Sequence, residues 1–116
     1  MTKTEAIAKI EASLLDEPQV ITPKNSTYEI YVKERAIALI ESVIEPKPIT
    51  VNAACFPQYY LELYQNSSVW VIANSGDNWL LTLEGKSEFA LAFGGNPNNL
   101  KMLGFSSSDA LAEWLG

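Results

Sequence analysis

The residues best suited to chemistry lie in the segment 59–64, where one carboxylate sits among aromatic rings. The group consists of Tyr59, Tyr60, Glu62 and Tyr64. Aromatic neighbours keep water away from a carboxylate, which raises its pKa and suits it to proton transfer. The segment is therefore a candidate small-molecule pocket or weak active site. A plain surface carboxylate on an edge element is the simpler alternative for Glu62.

Histidine and cysteine usage excludes most other enzyme chemistry. The chain has no histidine and a single cysteine, Cys55. Without histidine, Ser-His-Asp catalysis, Cys-His catalysis and the usual zinc and iron sites are excluded. Cys55 has no basic neighbour in the nearby sequence to stabilise a thiolate, so we expect a small buried hydrophobe. The sequence thus assigns no catalytic residue, no metal ligand and no cofactor.

Charge and hydropathy narrow the partners. Fourteen acidic and eight basic residues give a net charge of −6. Such a chain repels phosphate backbones and anionic lipid surfaces, so nucleic-acid and membrane partners are not expected. No apolar run approaches about 18 residues, and the first residues lack the apolar core of a signal peptide. A fold that needs no disulfide suits a reducing compartment, and we expect a cytoplasmic protein.

The first half of the chain predicts two helices. Residues 2–15 begin with a Thr2–Glu5 capping box and carry apolar residues at helical spacing, and Pro18 follows their end. Residues 19–22 are consistent with a short strand. Ser26 and Glu29 form a second capping box, which favours a helix over 26–44 ended by the prolines of the segment 45–48.

The apolar stripe of the second helix predicts its buried face. We expect Ile37, Ile40 and Ile44 to be buried along one side, with Ile30 on the same stripe. The competing interpretation makes residues 28–32 a strand, because Tyr28, Ile30 and Val32 alternate.

The second half of the chain predicts strands. Residues 49–53 resemble a short strand, and 56–65 fit either a helix starting at Pro57 or a strand. Residues 94–99 form a predicted loop, and Ser106 and Asp109 cap a C-terminal helix. Stronger strand patterns, rich in large apolar residues, cover 69–74, 78–84 and 88–93, with a weaker one over 101–105.

The first two strong strands predict a hairpin turning at Gly76 and Asp77, since glycine first in a two-residue loop suits a type II′ turn. This register pairs Trp70 with Leu83 and Asn74 with Trp79. In this register five side chains share one predicted core face: Trp70, Ile72, Trp79, Leu81 and Leu83. The next strand is expected to extend that face with Phe89, Leu91 and Phe93.

The extension has a cost, because a three-residue loop at 85–87 places Glu84 opposite Glu88. A two-residue Gly85-Lys86 loop avoids this like-charge pair but turns the phenylalanines to the opposite face.

The second face of this predicted meander is almost entirely apolar, and it needs a cover. Either helices of the same chain cover it, or another chain does, with a homodimer as the first candidate. The residues of this candidate interface are Val71, Ala73, Leu80, Thr82, Ala90 and Ala92.

Together these patterns predict a single α+β domain over residues 1–116. Its antiparallel sheet has about four to five strands, packed with two N-terminal helices and a short C-terminal helix. The function predicted first is a non-enzymatic partner-binding or regulatory module. Its negative surface would steer it to a protein partner, as in immunity and inhibitor proteins. The alternative is a small-molecule-binding domain or weak enzyme that uses the tyrosine segment.

Overall fold

A computed structural model describes residues 1–51, 53–54, 58–102 and 105–115, with the backbone alone at 53, 54 and 58–61. Four helices and six strands make up this part of the chain. The helices are α1 (Lys3–Leu14), α2 (Tyr28–Glu41), α3 (Gln58–Gln65) and α4 (Ala110–Leu115). The strands are β1 (Val43–Ile49), β2 (Ala53–Ala54), β3 (Val69–Ser75), β4 (Asn78–Leu83), β5 (Phe89–Phe93) and β6 (Lys101–Met102).

The strands form one sheet in the order β1-β3-β4-β5-β6-β2. Every neighbouring pair is antiparallel except β2 and β6, which are parallel. The predicted α+β class, with two N-terminal helices and a short C-terminal helix on an antiparallel sheet, is confirmed. The ambiguous segment 56–65 is helical over its described part, and Cys55 lies outside the described residues.

The α1 helix begins as its sequence predicts. The Thr2 hydroxyl accepts a hydrogen bond from the Glu5 backbone N–H at 3.1 Å, and the Glu5 carboxylate accepts from the Thr2 N–H at 2.9 Å. This reciprocal pair satisfies two of the N–H groups that a helix start leaves unpaired. Residues 19–22 form no strand, because Gln19 donates its backbone N–H to the Asp109 carboxylate instead, at 2.7 Å.

The α2 helix departs from its prediction at both ends and in its buried face. Thr27, not Ser26, is the cap, and its hydroxyl accepts from the Ile30 N–H at 3.4 Å. The strand alternative for 28–32 is excluded. The predicted burial of Ile37 is wrong, since this side chain is 50% exposed, whereas Leu39 is fully buried.

The prediction failed because the helix carries two apolar stripes. Val32 and Leu39 form one, and Ile30 and Ile37 form the other. Contacts with α1 and α4 bury the first of these stripes, together with half of Ile40.

The prolines after α2 do not end it but stand inside β1. The helix ends at Glu41, and Pro46 and Pro48 follow within Val43–Ile49, which pairs only with β3. An edge strand tolerates proline because one side of its backbone needs no sheet partner. The predicted strand over 49–53 is wrong: Ile49 ends β1, and 53–54 form a separate strand.

The β3–β4 hairpin confirms the turn but not the whole register. Ser75 pairs with Asn78 around a Gly76-Asp77 loop, where Gly76 has a φ of +59° as a type II′ turn requires. The register then shifts between Val71 and Ala73, so that Trp70 pairs with Thr82 rather than Leu83. This bulge moves Trp70 and Ile72 off the face of Trp79, and that part of the predicted core face is wrong.

The β4–β5 pairing follows the two-residue loop alternative. Thr82 pairs with Phe89 and Leu81 with Ala90. This register avoids the like-charge pair of Glu84 and Glu88, and it turns Phe89 to the face of Leu80. The prediction that the phenylalanines extend the Trp79 face is therefore wrong.

The sheet is buried on both faces. The face that we call the helical face packs against α1, α2 and α4 through Val43, Ile72, Ala73, Leu80 and Phe89. The opposite face packs against Tyr64 of α3 and against Val51, Leu100 and Met102. Two layers of side chains therefore sandwich the sheet within one chain.

Candidate functional site

The six residues of the predicted sheet interface are all buried within the chain. They divide between the two faces: Ala73 and Leu80 lie on the helical face, and Val71, Ala90 and Ala92 lie on the opposite face. Thr82 is also fully buried, and its hydroxyl donates to the Glu88 backbone carbonyl at 2.8 Å. Other parts of the same chain cover both groups, so these six positions do not form the single open apolar face that motivated a homodimer here.

The tyrosine segment divides in a similar way. Glu62 is exposed, whereas Tyr64 is almost fully buried in the core of the opposite face. On a helix, side chains separated by two positions point in directions that differ by about 160°. Glu62 and Tyr64 therefore do not line one cavity. The side chains of Tyr59 and Tyr60 lie outside the described part of the chain.

Tyr64 belongs to a buried polar chain that the sequence did not predict. Its hydroxyl lies 2.8 Å from the Ser106 hydroxyl, and Ser106 donates to the Glu88 carboxylate at 2.6 Å. Burial is the main cause that raises the pKa of Tyr64, so the phenol stays protonated. Ser106 thus links Tyr64 of α3 to Glu88, the residue before β5, and its predicted role as a helix cap is wrong.

A second polar group holds the start of α4. The Asp109 carboxylate accepts from the Ala112 N–H at 3.0 Å, as an N-cap does. The Ser107 hydroxyl donates to Glu113 at 2.8 Å, and burial raises the pKa of the Glu113 carboxyl. Both groups are occupied by contacts within the chain, which fits a structural role.

Lys9 is a half-buried cation on α1. Its ammonium donates to the Leu83 backbone carbonyl and lies 5.9 Å from the centre of the Phe89 ring. Burial lowers the pKa of this amine, and the nearby Glu84 charge opposes that shift. The ammonium thus ties α1 to the end of β4.

The polar side chains buried in the described ranges are satisfied by hydrogen bonds within the chain. Each buried side-chain nitrogen or oxygen there has a hydrogen bond. Likewise, these ranges hold no group of three or more His, Cys, Asp and Glu side chains able to bind a metal ion. The buried polar side chains of these ranges therefore have a structural role in hydrogen bonding within the chain.

The outside of the helical layer is different, because it exposes large apolar side chains. Ile30 and Ile37 of α2 are 54% and 50% exposed, and Ile21 of the preceding loop is 93% exposed. Leu115 at the end of α4 is also exposed. Ile21 and Leu115 line one groove and Ile30 lines another, so exposed apolar side chains border recesses in this layer.

Two grooves adjoin this surface and meet at Tyr31. One, of about 250 Å³, lies between the loop and α4 and is lined by Gln19, Val20, Ile21, Tyr31, Ala112 and Leu115. The other, of about 740 Å³, follows the start of α2 and includes Ile30 and Glu34. The Arg35 guanidinium lies 5.7 Å from the centre of the Tyr31 ring, a cation–π contact at the junction of the grooves.

This surface was not predicted from the sequence, because its isoleucines were expected to lie in the core. A signal was nevertheless present: α2 is apolar on two sides, and one side of a surface helix suffices to bind it to its own domain. We call the exposed set Ile30, Lys33, Glu34, Ile37 and Glu41 the outer face of α2.

No protein-family model, curated protein or solved structure matches the chain. Among the described residues, no helix is both long enough and apolar enough to pass through a membrane.

Proposed function

We propose that this protein is a non-enzymatic, cytoplasmic protein-binding module whose binding surface is the outer face of α2. The observation that carries the proposal is the exposure of Ile30 and Ile37 on a helix whose other side, at Leu39, is fully buried. Burial of an exposed isoleucine against a partner surface is favourable, because it removes apolar surface from water. The adjoining grooves beside Tyr31 offer recesses for side chains of the partner.

Charge supports a protein partner over other classes. The net charge of −6 disfavours nucleic acid and anionic lipid, and it favours encounter with a partner that carries positive charge. The outer face itself holds both signs, since Lys33 and Glu34 lie side by side. Apolar contact would thus supply affinity, and charged groups around it would supply orientation.

A capture experiment with matched variants tests the proposal. The wild-type protein, Ile30→Glu and Ile37→Glu are each immobilised and exposed to lysate of the native host, and bound proteins are quantified by mass spectrometry. Ala8→Glu is the control, because it adds the same charge at an exposed position of α1. Circular dichroism establishes that all four proteins are folded.

We expect at least one protein to be retained by the wild type and by Ala8→Glu, and to be lost with both isoleucine variants. A carboxylate buried against an apolar partner surface without a counter-charge is strongly unfavourable. If all four proteins retain the same set, the outer face of α2 is not the binding surface.

A further inference from the structure

The outer face of α2 has a symmetric arrangement of charge around its apolar stripe. Ile30 and Ile37 lie two turns apart on nearly the same line along the helix. At 100° per residue, Lys33 lies about 50° to one side of that line and Glu34 about 50° to the other. The two charged residues also lie within about 1.5 Å of each other along the helix axis, midway between the isoleucines.

A surface with this arrangement is complementary to itself in one orientation. We call the two sides of the Ile30–Ile37 line its flanks, with Lys33 on one flank and Glu34 on the other. When two copies of α2 pack in parallel about a two-fold axis, the Lys33 flank of each copy faces the Glu34 flank of the other. Ile30 then meets Ile30 and Ile37 meets Ile37. Lys33 of each copy faces Glu34 of the other, which forms two equivalent ion pairs.

The antiparallel orientation lacks this match. A two-fold axis perpendicular to antiparallel helices brings equal flanks together, so Lys33 would face Lys33 and Glu34 would face Glu34. Like charges in contact are unfavourable and act against such a pairing. The central Lys33–Glu34 match therefore favours the parallel arrangement. Glu41, at the end of the helix and about 30° from the stripe, would lie near Glu41 of the second copy there and weakens the pairing.

We propose that the partner of the outer face is a second copy of this chain, bound through parallel pairing of α2 across a two-fold axis. The inference rests on the proposed function, because it names the occupant of that same surface. Exposure of both isoleucines and the self-complementary charge at the centre of the stripe favour an identical partner. The net charge of −6 on each copy opposes self-association at long range, so this local match must outweigh that repulsion. A strongly basic partner surface would be repelled by Lys33 at the centre of the stripe.

The pairing is expected to be weak. The α2 helix has 14 residues, about 21 Å, and it supplies two isoleucine layers. One such helix per chain buries less surface than the roughly 1,200 Å² at which standard interfaces begin. We therefore expect a dissociation constant between about 10 µM and 1 mM.

Sedimentation equilibrium of the full chain across that range tests self-association. We expect the wild type and Ala8→Glu to dimerise equally. We expect Ile30→Glu to remain monomeric, because two carboxylates would be pressed together in the dimer. The free energy of unfolding of each variant, from urea denaturation, verifies that loss of the dimer is not loss of the fold.

Charge reversal tests the orientation. Lys33→Glu and Glu34→Lys should each weaken the dimer about tenfold, since each converts two ion pairs into two repulsions. The double variant Lys33→Glu/Glu34→Lys should recover the wild-type affinity, because the pairs are restored with their signs exchanged. An antiparallel dimer would keep its like-charge contacts in every one of these variants and show no such recovery.

The outcomes that overturn this inference differ from those that overturn the proposed function. A wild-type chain that stays monomeric at about 1 mM, or a dimer that the double variant fails to restore, contradicts parallel self-pairing. Capture of a different host protein that depends on Ile30 would leave the proposed function standing in either case. Identical capture by wild type and both isoleucine variants contradicts the proposed function, whatever the oligomeric state.

Discussion

The helices α1 and α2 begin alike and are used differently. Each starts at a threonine cap and carries apolar residues along its length. In α1, Ala6 and Ile10 are fully buried, and Lys9 and Ser13 form hydrogen bonds with distant parts of the chain. In α2, full burial among hydrophobic residues is confined to Leu39, and Ile30 and Ile37 stay exposed.

The difference shows that two helices with similar sequence patterns can bury different shares of their apolar side chains. α1 uses both its apolar and its polar side chains to hold the domain together. α2 buries one apolar stripe in the domain and leaves the other exposed to solvent. An amphipathic pattern by itself identifies a helix, but it does not separate these two uses.

Truncating buried residues should produce the largest effect and should be equal for the two helices. Ile10→Ala and Leu39→Ala each remove a fully buried side chain and should lower the free energy of unfolding by about 2–5 kcal/mol. Ile37→Ala, on the outer face, should change it by no more than about 0.5 kcal/mol. Urea denaturation measures all three. A cost for Ile37→Ala equal to that of Leu39→Ala would mean that the outer stripe belongs to the core.

Serine truncation should give an intermediate effect that differs between the helices. The Ser13 hydroxyl donates to the Ser108 carbonyl at 2.8 Å and accepts from the Ala110 N–H at 2.9 Å. Ser13→Ala leaves that partly buried N–H unpaired, so we expect a loss of about 1–2 kcal/mol in the free energy of unfolding.

Ser42→Ala is the matched control. The Ser42 hydroxyl donates to Ala38 of its own helix at an exposed position, so its removal should cost less than about 0.5 kcal/mol. Equal losses for Ser13→Ala and Ser42→Ala would show that α1 is not held by long-range polar contacts.

The smallest expected effect is a pH dependence of the free energy of unfolding. It arises from Glu113 on α4, the helix against which both α1 and α2 pack. Burial raises the pKa of Glu113 in the folded state above its value in the unfolded chain. Between those two pKa values the folded state binds more protons, so this group makes the protein less stable as pH rises through that window. Above the window the penalty is fully present, and below it the penalty is gone.

Glu113→Gln removes the charge but keeps an oxygen to accept from Ser107. We expect the variant to be more stable than the wild type at pH 7, with the difference shrinking as pH falls through that window and no longer changing below it. Thermal denaturation at a series of pH values measures this difference. A gap between the two proteins that does not change with pH would contradict the raised pKa.

Local signals in the sequence were sufficient for several caps and for the hairpin turn, but not for β1 or for the pairing of the strands. The Thr2–Glu5 cap, the Gly76-Asp77 turn and the Asp109 cap each depend on neighbours a few residues apart, and each is present in the structure. The bulge at Ile72 and the two-residue loop after β4 depend on which face each strand must bury. A shift of one residue exchanges the two faces, so small errors in register produced large errors in the predicted core.

The candidate sites show the same limit more strongly. The tyrosine segment and the apolar sheet residues were chosen for their side-chain chemistry, yet Tyr64, Thr82 and Ala92 are interior residues. The Tyr64–Ser106–Glu88 chain joins residues that are up to 42 positions apart. No spacing rule relates such residues, because their contact depends on how the sheet and α3 pack.

The sequence by itself determined the fold class, the helix starts that a local cap marks, the hairpin turn and the exclusion of histidine chemistry. These features follow from residue type, short-range hydrogen bonding and the two periods of secondary structure. Tertiary structure decided which of the two apolar stripes of α2 is buried, and which faces of β3 and β5 coincide. The reason is that burial is settled by the competition of all apolar surfaces for a limited interior, and Ile30 and Ile37 remained outside it.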